Sequence, residues 1–291
     1  MPAKTSDARR RELGAELRRR RESAGINGVD LARKLGWSQS AVSRIEAGLG
    51  GVNEVNVIMY LAHCGVSTPE AGEVLKLAKE TEDGYLVRVD SLRTLILHEN
   101  MARRIAVSAP LVVPGLLQTE GYARAMISLP GYDEAAVKAR LNLRMSRQRL
   151  LRSQRAPRFI YFIYEAALRC PFGGYQVMNE QMLHLAFLAD QEHIAIRVVP
   201  FESGQIATIT GALTLMDFAD HGPLAYLETP TAGVFVEAPD GIARCRYNLG
   251  QLAKDALNER QSRGLLADLA SRYDRPPKEH RAHCPDILAK E

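Results

Sequence analysis

Gln39, Ser40, Ser43 and Arg44 are side chains of the types that read base edges in DNA. Arginine pairs with guanine, glutamine with adenine, and serine with either. Val42 and Ile45 are interleaved with them at the spacing of a buried helix side, so the four polar residues share the outward face. A helix that reads DNA contacts bases mainly through its N-terminal residues. Gln39 and Ser40 therefore come first, and Arg44, one turn on, comes next. Arg18, Arg33 and Lys34 are candidates for phosphate contacts, or else for a solvated face.

Short helices must position these side chains. Arg9 to Ala24 reads as a first helix with Leu13, Leu17 and Ala24 inward, ended by Gly25 as a left-handed cap. Asn27 is placed to cap a second helix, Gly28 to Leu35, with Leu31, Ala32 and Leu35 inward. Gly36 makes a turn with Trp37 packed beside it. Ser38 caps a third helix, Gln39 to Ala47, closed by Gly48. Two short helices joined through such a turn cross at about 90–120°. Asn53 to Cys64, and a helix starting at Ser67-Thr-Pro-Glu70, complete a small bundle. Polar Lys79 to Gly84 reads as a linker.

The run Leu31-Ala-Arg-Lys-Leu-Gly-Trp-Ser-Gln-Ser-Ala-Val-Ser-Arg-Ile-Glu-Ala-Gly48 closely resembles the phage-repressor-like helix-turn-helix of the Cro/C1, or xenobiotic-response-element, type. The resemblance implies binding to double-stranded DNA and a pairing of Arg21 with Glu46 that braces the third helix. One position departs from the pattern. The second helix commonly starts with a phosphate-touching glutamine, and here it starts with Gly28. The backbone N–H at that helix start remains available to a phosphate.

The whole chain has 291 residues, 46% hydrophobic and 25% charged, an ordinary globular composition long enough for two domains. We expect a helix-turn-helix domain over 1–84, a regulatory or partner-binding domain over 85–275, and a polar tail over 276–291. Charge is uneven: residues 1–50 carry eleven Lys/Arg against six Asp/Glu, and residues 51–90 carry three against seven. The positive end coincides with the DNA-reading pattern. No apolar run reaches the ~18–20 residues of a membrane span, and the N-terminus lacks a signal-peptide core, so no membrane role and a cytoplasmic location are expected. Cys64, Cys170, Cys245 and Cys284 form no C-x-x-C pair and read as reduced, mostly buried thiols. His280, His283 and Cys284 are possible ligands in a polar tail, but no metal and no cofactor are expected.

Beyond Tyr85 the pattern mixes helices and strands. Helices are expected over Ser91–Val107, Glu120–Leu129, Asp133 to about Arg152, Tyr175–Asp190 and, as one helix or a pair, Gly241–Ser271. Strands are expected over Arg158–Tyr164, Ile194–Pro200, Ala212–Phe218, Leu224–Glu228 and Val234–Glu237. The fold class is thus an all-α helix-turn-helix bundle followed by an α+β domain with a mainly antiparallel sheet. The segments Val113-Pro-Gly-Leu-Leu-Gln-Thr-Glu-Gly-Tyr-Ala-Arg124, Arg147-Gln148, Tyr164-Glu-Ala-Ala-Leu-Arg169, Glu180-Gln181, Val198-Val-Pro-Phe201, Gly204 and Tyr226-Leu-Glu228 together resemble the C-terminal domain of WhiJ-like actinobacterial regulators. That resemblance implies antitoxin-like regulation and a small protein partner encoded nearby.

Chemistry in this region rests on few candidates. Glu165, Glu180, Gln181 and Glu228 are carboxylates or amides near element ends, with no nucleophile, phosphate loop or metal pattern beside them, so the chain is not read as an enzyme. Glu165 and Arg169 are expected in ion pairs, for example with Arg147, or else at a ligand or partner site. Arg140, Arg144 and Arg147 share one helical face in a stretch without acids; this face is solvated, docks an acidic partner, or adds a phosphate contact. The function expected is a sequence-specific, dimeric transcription regulator, dimerised through its C-terminal domain because the small bundle has little spare apolar surface. Its control passes through a small protein partner or, alternatively, a bound metabolite. An enzyme fused to a DNA-binding domain is the third class.

Overall fold

The computed structural model describes residues 7–49, 53–78, 85–88, 92–128, 133–203, 211–228 and 232–275. Five helices build the N-terminal bundle: α1 (Asp7–Ser23), α2 (Gly28–Leu35), α3 (Gln39–Glu46), α4 (Glu54–His63) and α5 (Thr68–Ala78). Side-chain oxygens of Asn27, Ser38 and Asn53 accept from the backbone N–H groups of Asp30, Ala41 and Asn56, capping α2, α3 and α4. Each satisfies an N–H that the helix leaves unbonded. Leu17, Leu31, Val42, Val57 and Tyr60 meet in the core. Two glycines set how closely α1 and α3 pack. A Cβ on Gly14 would lie 2.5 Å from the carbonyl oxygens of Ile45 and Glu46, and one on Gly48 would lie 2.8 Å from the Arg11 Cα. Only hydrogen fits at either contact.

The second part is a mixed sheet. Six strands, β2 (Arg104–Ala109), β3 (Arg158–Tyr164), β4 (Ile194–Val199), β5 (Ala212–Asp217), β6 (Leu224–Glu228) and β7 (Ala232–Val236), are extended at one edge by the short β1 (Tyr85–Arg88), in the order β1-β7-β6-β5-β2-β3-β4. The expectation of a mainly antiparallel sheet is corrected to a mixed one: β2, β3 and β4 run parallel, β5 joins β2 antiparallel, and β6, β7 and β1 follow, each antiparallel to its neighbour. Parallel neighbours need long crossovers. One runs through α7 (Glu120–Ile127) and α8 (Glu134–Arg147), the other through α9 (Glu165–Arg169) and α10 (Tyr175–Leu188).

The helix expected over Ser91–Val107 is also corrected. Within the described residues it is α6 (Arg93–Met101), and the chain then turns at an extended Ala102 into β2. β2 lies in mid-sheet, buried on both sides, so it lacks the alternation that marks a half-exposed strand. The last helix is a pair, α11 (Pro239–Asp255) and α12 (Glu259–Asp274), with Asn258 and Gln261 forming a reciprocal capping box. Helices α10 and α12 lie on one sheet face over Phe159, Tyr161, Ile163 and Ile196. On the other face α11 packs on Ala106, Phe162 and Leu215. The linker 79–84 and the tail 276–291, with His280, His283 and Cys284, lie outside the described residues. Of the other cysteines, Cys64 and Cys245 are buried as expected, whereas Cys170 is exposed.

Helix α1 belongs to both parts. Its C-terminal half packs in the bundle, and its N-terminal half meets the sheet domain. The Ala8 N–H donates to the Glu237 carboxylate at 2.9 Å, and the Arg11 guanidinium donates to Glu237 at 3.2 Å and to His98 Nε2 at 3.0 Å. Thr94 donates to Glu12, and Arg93 pairs with Glu16. Because Arg11 can only donate, Nε2 of His98 must accept, so the imidazole proton sits on Nδ1 and is donated to the Thr94 carbonyl at 2.7 Å. Burial holds the His98 pKa down at about 4, and the nearby Arg11 adds to this.

A pH dependence follows. A base whose pKa is depressed on folding contributes stability above its unfolded value, and loses it as pH falls toward the folded value. At about 1.4 kcal/mol per unit, lowering pH from about 7 to about 4 is expected to remove about 3 kcal/mol through His98 alone. Urea midpoints of the intact chain across that range check this. His98→Gln is expected to flatten the profile, and an unchanged slope in that variant contradicts the assignment.

Candidate nucleic-acid interface

The outward edge of α3 is as the sequence pattern requires. Gln39, Ser40, Ser43 and Arg44 are all exposed, while Val42 and Ile45 are buried beneath them. Arg44 and Gln39 make no side-chain hydrogen bond or ion pair among the described residues. The Ser40 hydroxyl lies 2.9 Å from that of Ser38, the α3 cap, so it is shared with the cap. Lys34 is exposed at the end of α2. Arg33 pairs with Asp30 at 2.9 Å and Arg18 with Glu22 at 2.8 Å, all at the surface, where such pairs are weak enough to exchange for a phosphate. Gly28 opens α2, and a Cβ there would meet nothing within 4 Å, so the missing side chain leaves open space.

The brace is present and larger than expected. Arg21 holds Glu46 through two hydrogen bonds of 2.7 and 2.9 Å, and its third nitrogen donates to the Ile26 carbonyl. The buried Tyr60 hydroxyl, 2.5 Å from Glu46, adds a further donor from α4. Burial pushes the Glu46 pKa up, but the hydrogen bonds from Arg21 and Tyr60 outweigh it and hold the carboxyl below its usual range. Burial pushes the Tyr60 hydroxyl up, and the same carboxylate adds to this. Tyr60 was missed because it lies a helix away in sequence and reads there as one more core residue.

The basic N-terminus contributes less to this surface than its composition implies. Arg9 and Arg11 are buried. Arg9 donates to the carbonyls of Leu77 and Lys76 at the end of α5. Arg20 is shared between Glu16 and Glu70. The expectation that the bundle has little spare apolar surface also gives way. Val55, Ile58 and Met59, at helical spacing on α4, are 40% exposed or more.

In the sheet domain, Arg144 and Arg147 turn inward. Arg147 binds the buried Glu99 of α6 at 2.8 Å, not Glu165. Arg144 donates to Gln118 at 2.8 Å and finds no carboxylate at ion-pair distance among the described residues. Burial lowers its pKa, and Arg147 adds to this. Arg140, one turn earlier, is half-buried. Both inward guanidiniums crowd Gly115, whose Cβ would lie 3.1 Å from Arg144 Nη1 and 4.0 Å from Arg147 Nη1. This accounts for much of the segment Val113 to Thr119. Gln118 also donates to the Val113 carbonyl, and Gln181 clips the Leu117 carbonyl and the Thr119 N–H. Glu165 and Arg169 pair with each other at 2.5 Å, one helical turn apart, and Glu165 accepts from the Phe201 N–H at 3.1 Å. Glu165 therefore ties the start of α9 to the end of β4.

An exposed polar edge on the second of two short crossed helices, held by a buried ion pair, defines a helix-turn-helix protein of the DNA-binding class. A model described as a helix-turn-helix domain matches residues 12–74. The rest of the chain places it further: a model described as a domain of unknown function, DUF5753, matches residues 92–268, and the chain belongs to that family. No curated protein and no solved structure matches the chain. No helix among the described residues is long and apolar enough to cross a membrane.

Proposed function

We propose that the chain is a sequence-specific regulator of transcription that lays α3 in the major groove of duplex DNA and acts as a homodimer. The observation that carries this reading is the uncommitted edge of α3, with Gln39 and Arg44 exposed over a core locked by Arg21 and Glu46. Two copies reading half-sites about one helical turn apart give the length of sequence that specificity needs. The exposed apolar residues of α4 offer one place for two copies to meet. The reading includes the likeness to WhiJ-like actinobacterial regulators, supported by the segment Val113 to Thr119 and its clip to Gln181. In this reading the sheet domain regulates and does not catalyse. It takes its signal from a small protein partner, for which Leu183 and Phe187 on the outer side of α10 offer an exposed apolar pair. A small metabolite is the second reading, and a groove described below favours it.

The test is genome-wide mapping of bound sites, followed by titration of the shared motif. Arg44→Ala is expected to weaken binding to that motif about 10–100-fold and to relax preference at one base position, the effect of losing one bidentate base contact. Lys34→Ala is expected to weaken motif and random DNA alike and to lower the salt slope by about 1. Bound sites without a shared motif would sink the specific reading.

A further inference from the structure

Alongside α11 the sheet leaves a groove of about 360 Å³, within the range of small-ligand sites. Its floor spans four strands, with Leu215 of β5, Ala106 of β2, Ile160 and Phe162 of β3 and Ala195 of β4. At ~4.8 Å per strand that is about 14 Å across. Leu249, Gly250 and Ala253 of α11 form the wall.

The two ends differ in charge. At the β5 end, Arg104 stands opposite Asp217 on one neighbouring strand and Arg158 on the other. Asp217 is committed to Arg246 at 2.5 Å. Arg104 and Arg158 are both exposed, and among the described residues neither makes a side-chain hydrogen bond or ion pair. Arg104 and Arg246 therefore flank the Asp217 carboxylate, and Arg158 stands one strand beyond Arg104. At the β4 end, the Arg197 guanidinium is held by the carbonyls of Ala256 and Leu257 and stacks over Phe162, and the Glu259 carboxylate lines the groove beside it, so one charge of each sign stands there. One end attracts an anion, the middle is apolar, and the charges at the far end offset each other.

We infer that this groove binds a small amphipathic monocarboxylate, its acid group on Arg104 and its apolar body over Ile160 and Ala195, the partly exposed part of the floor. Planar carboxylates suit paired guanidinium donors, and the arginines crowded at β2 and β3 give the acid a reason to bind beyond the burial of its apolar body. The occupant is a small molecule rather than a partner helix because ion pairs and charged side chains bound the groove on both sides. The site lies close to the contact between sheet and α1. Asp217 is followed by Phe218, whose ring lies 5.6 Å from the Arg11 guanidinium. The inference rests on reading the chain as a regulator with a ligand-sensing domain, but its test needs no DNA.

Octanoate and 4-phenylbutyrate, with octanol as the control, are titrated into the full chain by calorimetry and ligand-observed NMR. Saturable 1:1 binding of the two monoacids is expected, with the alcohol at least about 10-fold weaker. Arg104→Gln, at an exposed site, is expected to weaken the monoacids by a similar factor. Gly250→Leu is expected to abolish binding by filling the groove, since a Cβ there meets nothing within 4 Å. Absence of saturable monoacid binding, equal binding of acid and alcohol, or undiminished binding in both variants would overturn the inference. Motif recognition through Arg44 is measured separately and stands or falls without it.

Discussion

Glu99→Ala is expected to destabilise the sheet domain by about 3–5 kcal/mol, the cost of breaking a buried ion pair from one side. The side chains of Glu99 and Arg147 are 6% and 8% exposed, and no solvent is at hand to replace the lost partner. Arg144 makes matters worse, because its guanidinium shares the same interior with only Gln118 as an acceptor. Glu99 is thus the carboxylate that balances Arg147, while Arg144 draws its support from the more distant charge of Glu228. Burial pushes its pKa up against the pull of Arg147, so the pair is held under desolvation rather than being a free gain in stability. The two-sided replacement should differ in kind. Glu99→Leu combined with Arg147→Met removes both charges and is expected to recover at least half of the loss. Chemical denaturation followed by circular dichroism measures both, and a double variant no better than Glu99→Ala would show that shape, not charge, sets the cost.

In the bundle the largest effect is expected at Glu46. Glu46→Ala removes the acceptor for three hydrogen bonds at once, two from Arg21 and one from Tyr60. It leaves two nitrogens of the Arg21 guanidinium and the Tyr60 hydroxyl without their acceptor, and about 3 kcal/mol of stability is expected to go with them. Glu46→Gln keeps one acceptor and should lose about half as much. Trp37, the one tryptophan of the chain, packs against this core and makes its fluorescence a local probe. Urea unfolding followed at Trp37 should move to lower concentration while the sheet domain, followed by amide exchange, stays in place. A shift smaller than ~0.5 kcal/mol would mean that Glu46 is solvated in solution.

Much of the bundle was legible in the sequence because its signals are local. Asn27 and Ser38 each cap a helix through the backbone N–H three residues on, a signal that needs no distant partner, and Val42 with Ile45 fixes which edge of α3 faces out. The sheet domain was legible in its half-exposed strands, and β6 falls on its expected limits. What escaped depends on partners far along the chain. The spacing of Arg140, Arg144 and Arg147 shows that they share a face, but only α6 and its Glu99 turn that face inward. β2 escaped because a strand covered on both sides shows no alternation. Arg9 and Arg11 count toward the positive charge of residues 1–50, whereas Arg11 is held by Glu237 and His98 and Arg9 by the end of α5.

Those contacts bear on how such a protein can be recombined. A cut in the linker between α5 and β1 separates two stretches of sequence, yet the first turns of α1 are fitted to Glu237, His98 and Thr94 on the far side of it. A foreign bundle spliced in at that junction would bring its own first helix and leave those groups facing the wrong side chains. Ala8, Arg11 and Glu12 must therefore be inherited with the sheet that receives them. A chimera is expected to succeed only when its junction falls inside α1, near Gly14, where the helix passes from one neighbour to the other.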